Sequence, residues 1–111
     1  MNIDREIPLN SEMAELFGFT SKNGFDGYLW QTENDTIKKI TISSITSSKG
    51  YLLTLFSNIL SLGYTVAVPT PFPKMEAILR KRGFVPTSVY DETFDDYCEL
   101  WIKKPTWSND D

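Results

Sequence analysis

The run Ser47-Ser48-Lys49-Gly50-Tyr51-Leu52 comes closest to a chemical pattern in this chain. It joins a β-branched stretch, TIKKITISSI, to an apolar stretch at helical spacing, YLLTLFSNILSL. A helix beginning here carries unpaired amides and the positive end of its dipole, so a phosphate-class anion could rest on the amides of Ser48 to Leu52, with Lys49 adding charge. Every helix has such an end, and a plainly capped helix explains these residues equally well.

Acid–base groups are sparse. The sequence has no histidine, which removes the commonest general base and neutral metal ligand. The single cysteine, Cys98, allows no internal disulfide and no thiolate cluster, and it reads as a small strand residue in a reducing compartment. Tyr90 and Tyr97 are candidate proton donors, against a packing role in a strand. Glu33, Asp35 and Glu99 are candidate bases, against the ordinary role of solvated carboxylates. The acidic loop around Phe94, DETFDD, would attract a cationic amine or simply form a solvated turn. Its spacing lacks the glycine and closing glutamate of an EF-hand, so no metal site is expected.

These groups need a scaffold, and the chain's 111 residues suit one core. The aromatic share, 14%, favours a packed interior, while a net charge of −4 argues against sequence-independent nucleic-acid binding despite the cluster Arg80-Lys81-Arg82. The charged start MNIDREIP predicts no signal peptide, and no run is long enough to span a bilayer, so a cytoplasmic protein is expected.

Met1 to Pro8 predicts an extended lead-in, and SEMAELFGF a short helix capped by Asn10 or Ser11 and stopped at Gly18. Tyr28 to Ile45 reads as an antiparallel hairpin around Glu33-Asn34-Asp35. Its isoleucines slip phase between Ile37 and Ile40 and between Ile42 and Ile45, as a β-bulge would require. A long helix follows, with Gly50 in its first turn and Gly63 as its stop. Tyr64 to Val68 predicts a central strand covered on both faces. Pro69, Pro71 and Pro73 keep the chain extended into a second helix, which Gly83 ends. Val85 to Tyr90 and Tyr97 to Lys103 close the domain as two strands, with an apolar edge that would suit a homodimer. The expectation is one α+β domain over residues 1–104, a mixed, mostly antiparallel sheet with helices packed on it, and a polar tail over 105–111.

The order of strand TIKKITISSI, loop TSSKG, long helix, strand YTVAV, short helix, Gly83-Phe84 and a strand pair resembles the GNAT N-acetyltransferase superfamily over roughly residues 28–103. In that family an Arg/Gln-x-x-Gly-x-Gly/Ala loop cradles the pyrophosphate of acetyl-CoA. Gly50 matches its first glycine, Ser47 stands at the Arg/Gln position and Leu52 at the second small residue. Phe72 to Phe84 resembles the closing signature, with Phe72 at its Asn position and Leu79 at the position of a frequent Tyr acid. The helices preceding the hairpin are abbreviated to SEMAELFGF. The resemblance implies acetyl-CoA as cofactor. It would be held by the backbone of Thr41, Ile42 and Ser43 and by the loop Ser48, Lys49, Gly50, Tyr51 and Leu52. Acyl would pass to an amine on a small molecule or protein. The departures keep a second reading open: an inactive GNAT-like binding or structural module of the reduced kind that bacteriophages carry as accessory or virion proteins, with Trp30, Trp101 or Trp107 anchoring a protein partner. An unrelated small α/β domain is the third.

Overall fold

The computed structural model describes residues 2–105. Strand β1 (Ile3–Pro8) and helix α1 (Glu12–Phe17) lead into the hairpin of β2 (Phe25–Glu33) and β3 (Lys38–Ser47). Helix α2 (Leu52–Ser61), strand β4 (Thr65–Pro69) and helix α3 (Pro73–Lys81) follow, and β5 (Val85–Asp91) and β6 (Asp96–Lys103) close the chain. The sheet runs β1-β2-β3-β4-β6-β5. Among the described residues only β3 and β4 pair in parallel, and every other neighbour is antiparallel. The fold is therefore α+β with a mixed, mostly antiparallel sheet, the class the sequence predicts.

Local chemistry accounts for most boundaries. The Ser11 hydroxyl accepts the Ala14 N–H at 3.3 Å, and Gly18 ends α1 with φ 81°. The bulge expected in the isoleucine run is present: Tyr28 pairs with Ser44 but Trp30 with Thr41, so Ile42 and Ser43 both face Leu29. The two chains press together beside it. A Cβ on Gly27, whose φ is 104°, would stand 1.9 Å from the Ser44 carbonyl oxygen. Only glycine fits there.

The core is built on one side of the sheet. Ile7, Leu29, Ile40, Val66, Val68 and Trp101 meet Ala14 and Phe17 of α1, Leu55, Phe56 and Ile59 of α2, and Leu79 of α3. Burying each large apolar side chain contributes roughly 1.5–3 kcal/mol. The alternate residues Trp30, Thr41, Ala67 and Ile102 lie in register on the opposite face. This corrects one expectation. Val66, Ala67 and Val68 are all buried, but helices cover one face only, and Ala67 is enclosed by its strand neighbours.

Three further expectations change. The long helix starts at Leu52, and Gly50 lies ahead of it with φ 76° instead of in its first turn. Thr46 and Ser47, which the sequence places in the loop, are the last residues of β3, because Asp26 and Phe25 pair with them across the hairpin. Trp101, proposed as an exposed anchor, is 1% exposed, under the Arg80 guanidinium 5.0 Å from its ring. Trp30 remains partly exposed, and Trp107 lies outside the described residues. Pro105, assigned to the polar tail, is buried.

Candidate functional site

Strands β3 and β4 stay paired for only three positions, Lys39–Thr65, Ile40–Val66 and Thr41–Ala67. Beyond them β3 continues to Ser47 while β4 ends at Pro69. The first residues past the last pair, Ile42 and Val68, face a hollow of about 520 Å³. Ile45, Leu52, Phe56 and Met75 extend its apolar wall, and Ser43, Ser47 and Thr70 supply hydroxyls. Leu52 lines this space without filling it.

Two helices begin at its rim. Tyr51 caps α2 and Phe72 caps α3, and neither makes a side-chain capping hydrogen bond. The first amides of each helix therefore lack both an intrahelical partner and a side-chain substitute. Both positive dipole ends lie where Leu52 and Phe72 border the hollow. The sequence reading found only the α2 end. Pro73, suited to a first helical turn, was the available signal for the other; the expected extended run through Pro69 and Pro71 is broken at Thr70, which bends with φ 36°.

The expected phosphate loop is only partly available. The Ser48 N–H donates to the Gly24 carbonyl at 2.9 Å, and its hydroxyl donates to the same oxygen at 3.1 Å. The Lys49 ammonium donates to the Lys22 carbonyl at 3.0 Å. These bonds extend the β2–β3 ladder and tie the loop to residues 22–24. Gly50 is different: a Cβ there would meet nothing within 4 Å. The loop is anchored at Ser48 and Lys49 and open at Gly50, Tyr51 and Leu52.

The structure separates the other candidates from this space. Thr41 closes the β3–β4 ladder next to Ile42 and Ser43. Tyr90 and Tyr97 face each other across β5 and β6, rings 5.3 Å apart, on the exposed hairpin. The Tyr90 hydroxyl donates to Asp95, and that bond, followed by partial desolvation and the charge of Asp91, pushes its pKa up. Glu99 is exposed and accepts the Trp101 indole N–H at 2.9 Å. Asp35 is exposed at the β2–β3 turn. Cys98 is half-buried on β6 opposite Val89. Among the described residues none that lines the hollow is ionisable.

Glu33 belongs to a second polar cluster that the sequence did not reveal. Gln31, 1% exposed, accepts from Arg5 Nε at 2.9 Å and donates to Glu33 at 3.0 Å and to the Tyr64 hydroxyl at 3.4 Å. Burial raises the Tyr64 pKa first, the charge of Glu33 raises it further, and Arg5 partly offsets both. The Lys38 ammonium sits 4.6 Å from the Tyr64 ring centroid. A buried amide on β2 with two of its three partners, Arg5 and Tyr64, on β1 and just before β4 leaves little local sequence signal.

Among the described residues no helix is long and apolar enough to cross a membrane. Comparisons of the chain with protein-family models, with characterised proteins and with solved structures return no match.

Proposed function

We propose that the chain is a GNAT-type N-acyltransferase that holds an acyl-CoA between β3 and β4 and passes the acyl group to an amine. The observation that carries this reading is the parting of β3 and β4 after Thr41–Ala67, with the hollow left open between them and the uncapped start of α2 at its rim. A thread-like apolar ligand with an anionic end matches an apolar slot that terminates at free amides. The fit is good for the arm, through Ile42, Ser43, Ile45, Val68 and Met75. For the pyrophosphate it rests on Gly50, Tyr51 and Leu52 alone, because Ser48 and Lys49 are already bonded.

When bound, acyl-CoA supplies an activated thioester carbonyl. The chain's own contribution is positioning: the exposed backbone of β3 orients the arm, the apolar wall excludes water, and the two helix dipoles favour negative charge. No side-chain base is assigned. The setting is the cytoplasm, or a phage-infected host cytoplasm.

Calorimetric titration with acetyl-CoA tests this directly. One-site binding should weaken about tenfold or more in Gly50→Glu, whose carboxylate repels phosphate where no core atom is touched. No heat and no thermal stabilisation at millimolar acetyl-CoA overturns it.

A second reading is favoured by the non-ionisable lining and the bonded Ser48 and Lys49: a GNAT-like module that binds without catalysing, as a phage accessory or virion protein. Release of free CoA thiol with an amine acceptor separates the two, since the module binds and releases none.

A further inference from the structure

The two edges of the sheet are built differently. On β1, Asp4, Arg5 and Glu6 follow one another, and adjacent charges on both faces discourage pairing with another strand. On β5 the sequence VPTSVYD carries no charge before Asp91, and Pro86 withholds one backbone donor. Val85 to Ser88 and Tyr90 are exposed, with Val85 at 61%. Among the described residues only β6 pairs with β5.

Charge is split along this edge. Arg80, Lys81 and Arg82 end α3 just before β5, and Lys103 lies beside them, donating to the Arg82 carbonyl. Asp91, Glu92, Asp95 and Asp96 surround the turn at the far end. The edge is cationic where it starts and anionic where it finishes. Such a strand complements itself when reversed.

We propose that β5 pairs antiparallel with β5 of a second copy about Ser88, forming a two-fold dimer with one continuous sheet. The register follows from the strand itself: Ser88 is its midpoint, so Asp91 of one copy lies across from Val85 of the other. Past Asp91 the chain turns back through residues 92–95, so this turn, with Glu92 and the 77% exposed Phe94, lies at the end of β5 that meets the α3 terminus and Arg82 of the other copy. Beside Arg82 lies a hollow of about 210 Å³ lined by Leu53, Phe56, Leu60, Phe84 and Lys103. The pairing covers the uncharged edge and brings the anionic end of each copy to the cationic end of the other.

Sedimentation equilibrium on the full chain tests the dimer through a charge swap. The wild type should sediment at twice its 12.7 kDa monomer mass, and more weakly in high salt. Arg82→Glu and Glu92→Lys are both exposed sites, so circular dichroism should stay at wild type, while melting should fall below wild type only at concentrations where the wild type is dimeric. Each alone sets like charges together twice and should weaken association about tenfold or more. An equimolar mixture of the two should recover dimers, because each contact then pairs opposite charges. A wild type that stays monomeric to millimolar concentration overturns the proposal. So do single variants that associate like wild type, or a mixture that recovers nothing.

Discussion

The sheet under the helices and the hairpin beyond it are two different materials. In β2, β3 and β4 the residues facing the helices, among them Leu29, Gln31, Ile40, Ile42, Val66 and Val68, are at most 7% exposed. In β5 no residue is buried, and its longest apolar side chains, Val85 and Tyr90, stand largely in water. The first region draws its stability from packing; the second is a ladder of hydrogen bonds attached along β6. The difference teaches where change is tolerated. The hollow lies in the packed region, on the seam where β3 and β4 part, whereas the acidic turn and the tyrosine pair belong to the outer hairpin.

Breaking the packed region should produce the largest effects. Phe17→Ala removes a ring that is fully buried and 5.7 Å from the Tyr64 ring, at a cost of about 4 kcal/mol in denaturant unfolding. Gly27→Ala should cost about 3 kcal/mol, through left-handed strain and the collision with the Ser44 carbonyl oxygen. Gly50→Ala has the same backbone requirement but open space, so about 1–2 kcal/mol is expected and no change in the core. On the outer hairpin, Tyr97→Ala should cost less than about 1 kcal/mol. Equal losses for Phe17→Ala and Tyr97→Ala would erase the distinction, and faster amide exchange in β5 than in β3 would sharpen it.

The smallest effect separates the two perturbed tyrosines by pH. Burial raises Tyr64 above its usual value of 10, so the folded state holds that proton more tightly than the unfolded chain. Stability from the neutral phenol is complete below pH 10 and is lost as pH rises through the raised folded value. Tyr64→Phe should flatten that alkaline decline. Tyr90 is raised chiefly by its bond to Asp95, so Asp95→Asn should return its titration, read by phenolate absorbance, toward that of a free tyrosine.

Short-range features were readable from residues alone. Ser11 and Gly18 bracket α1, Gly63 and Gly83 follow α2 and α3, Pro73 opens α3, and the slipped phase of Ile42 and Ile45 marks the bulge. Of the residues named from the sequence, Ile42, Ser43 and Leu52 line the hollow, and Gly50 takes a positive φ ahead of α2. The sequence puts Gly50 in the first turn of α2, yet the helix starts at Leu52, and the small polar residues Thr46, Ser47 and Ser48 ahead of it do not cap it. They are bound instead into a ladder whose partners, Asp26, Phe25 and Gly24, lie some twenty residues earlier. Trp101 was misjudged for a similar reason: alternation shows that β6 has two faces, but not which one the helices cover.

By itself the sequence determined the α+β class, the element order and most caps and stops, because those depend on side chains acting on their own backbone. Tertiary structure alone decided which amides are free, that β3 and β4 part after Thr41 and Ala67, that Gln31 is buried, and which sheet edge is left uncharged and open. Each of these depends on groups far apart in sequence competing for the same hydrogen bonds and the same buried space. That competition is resolved only when the chain closes on itself.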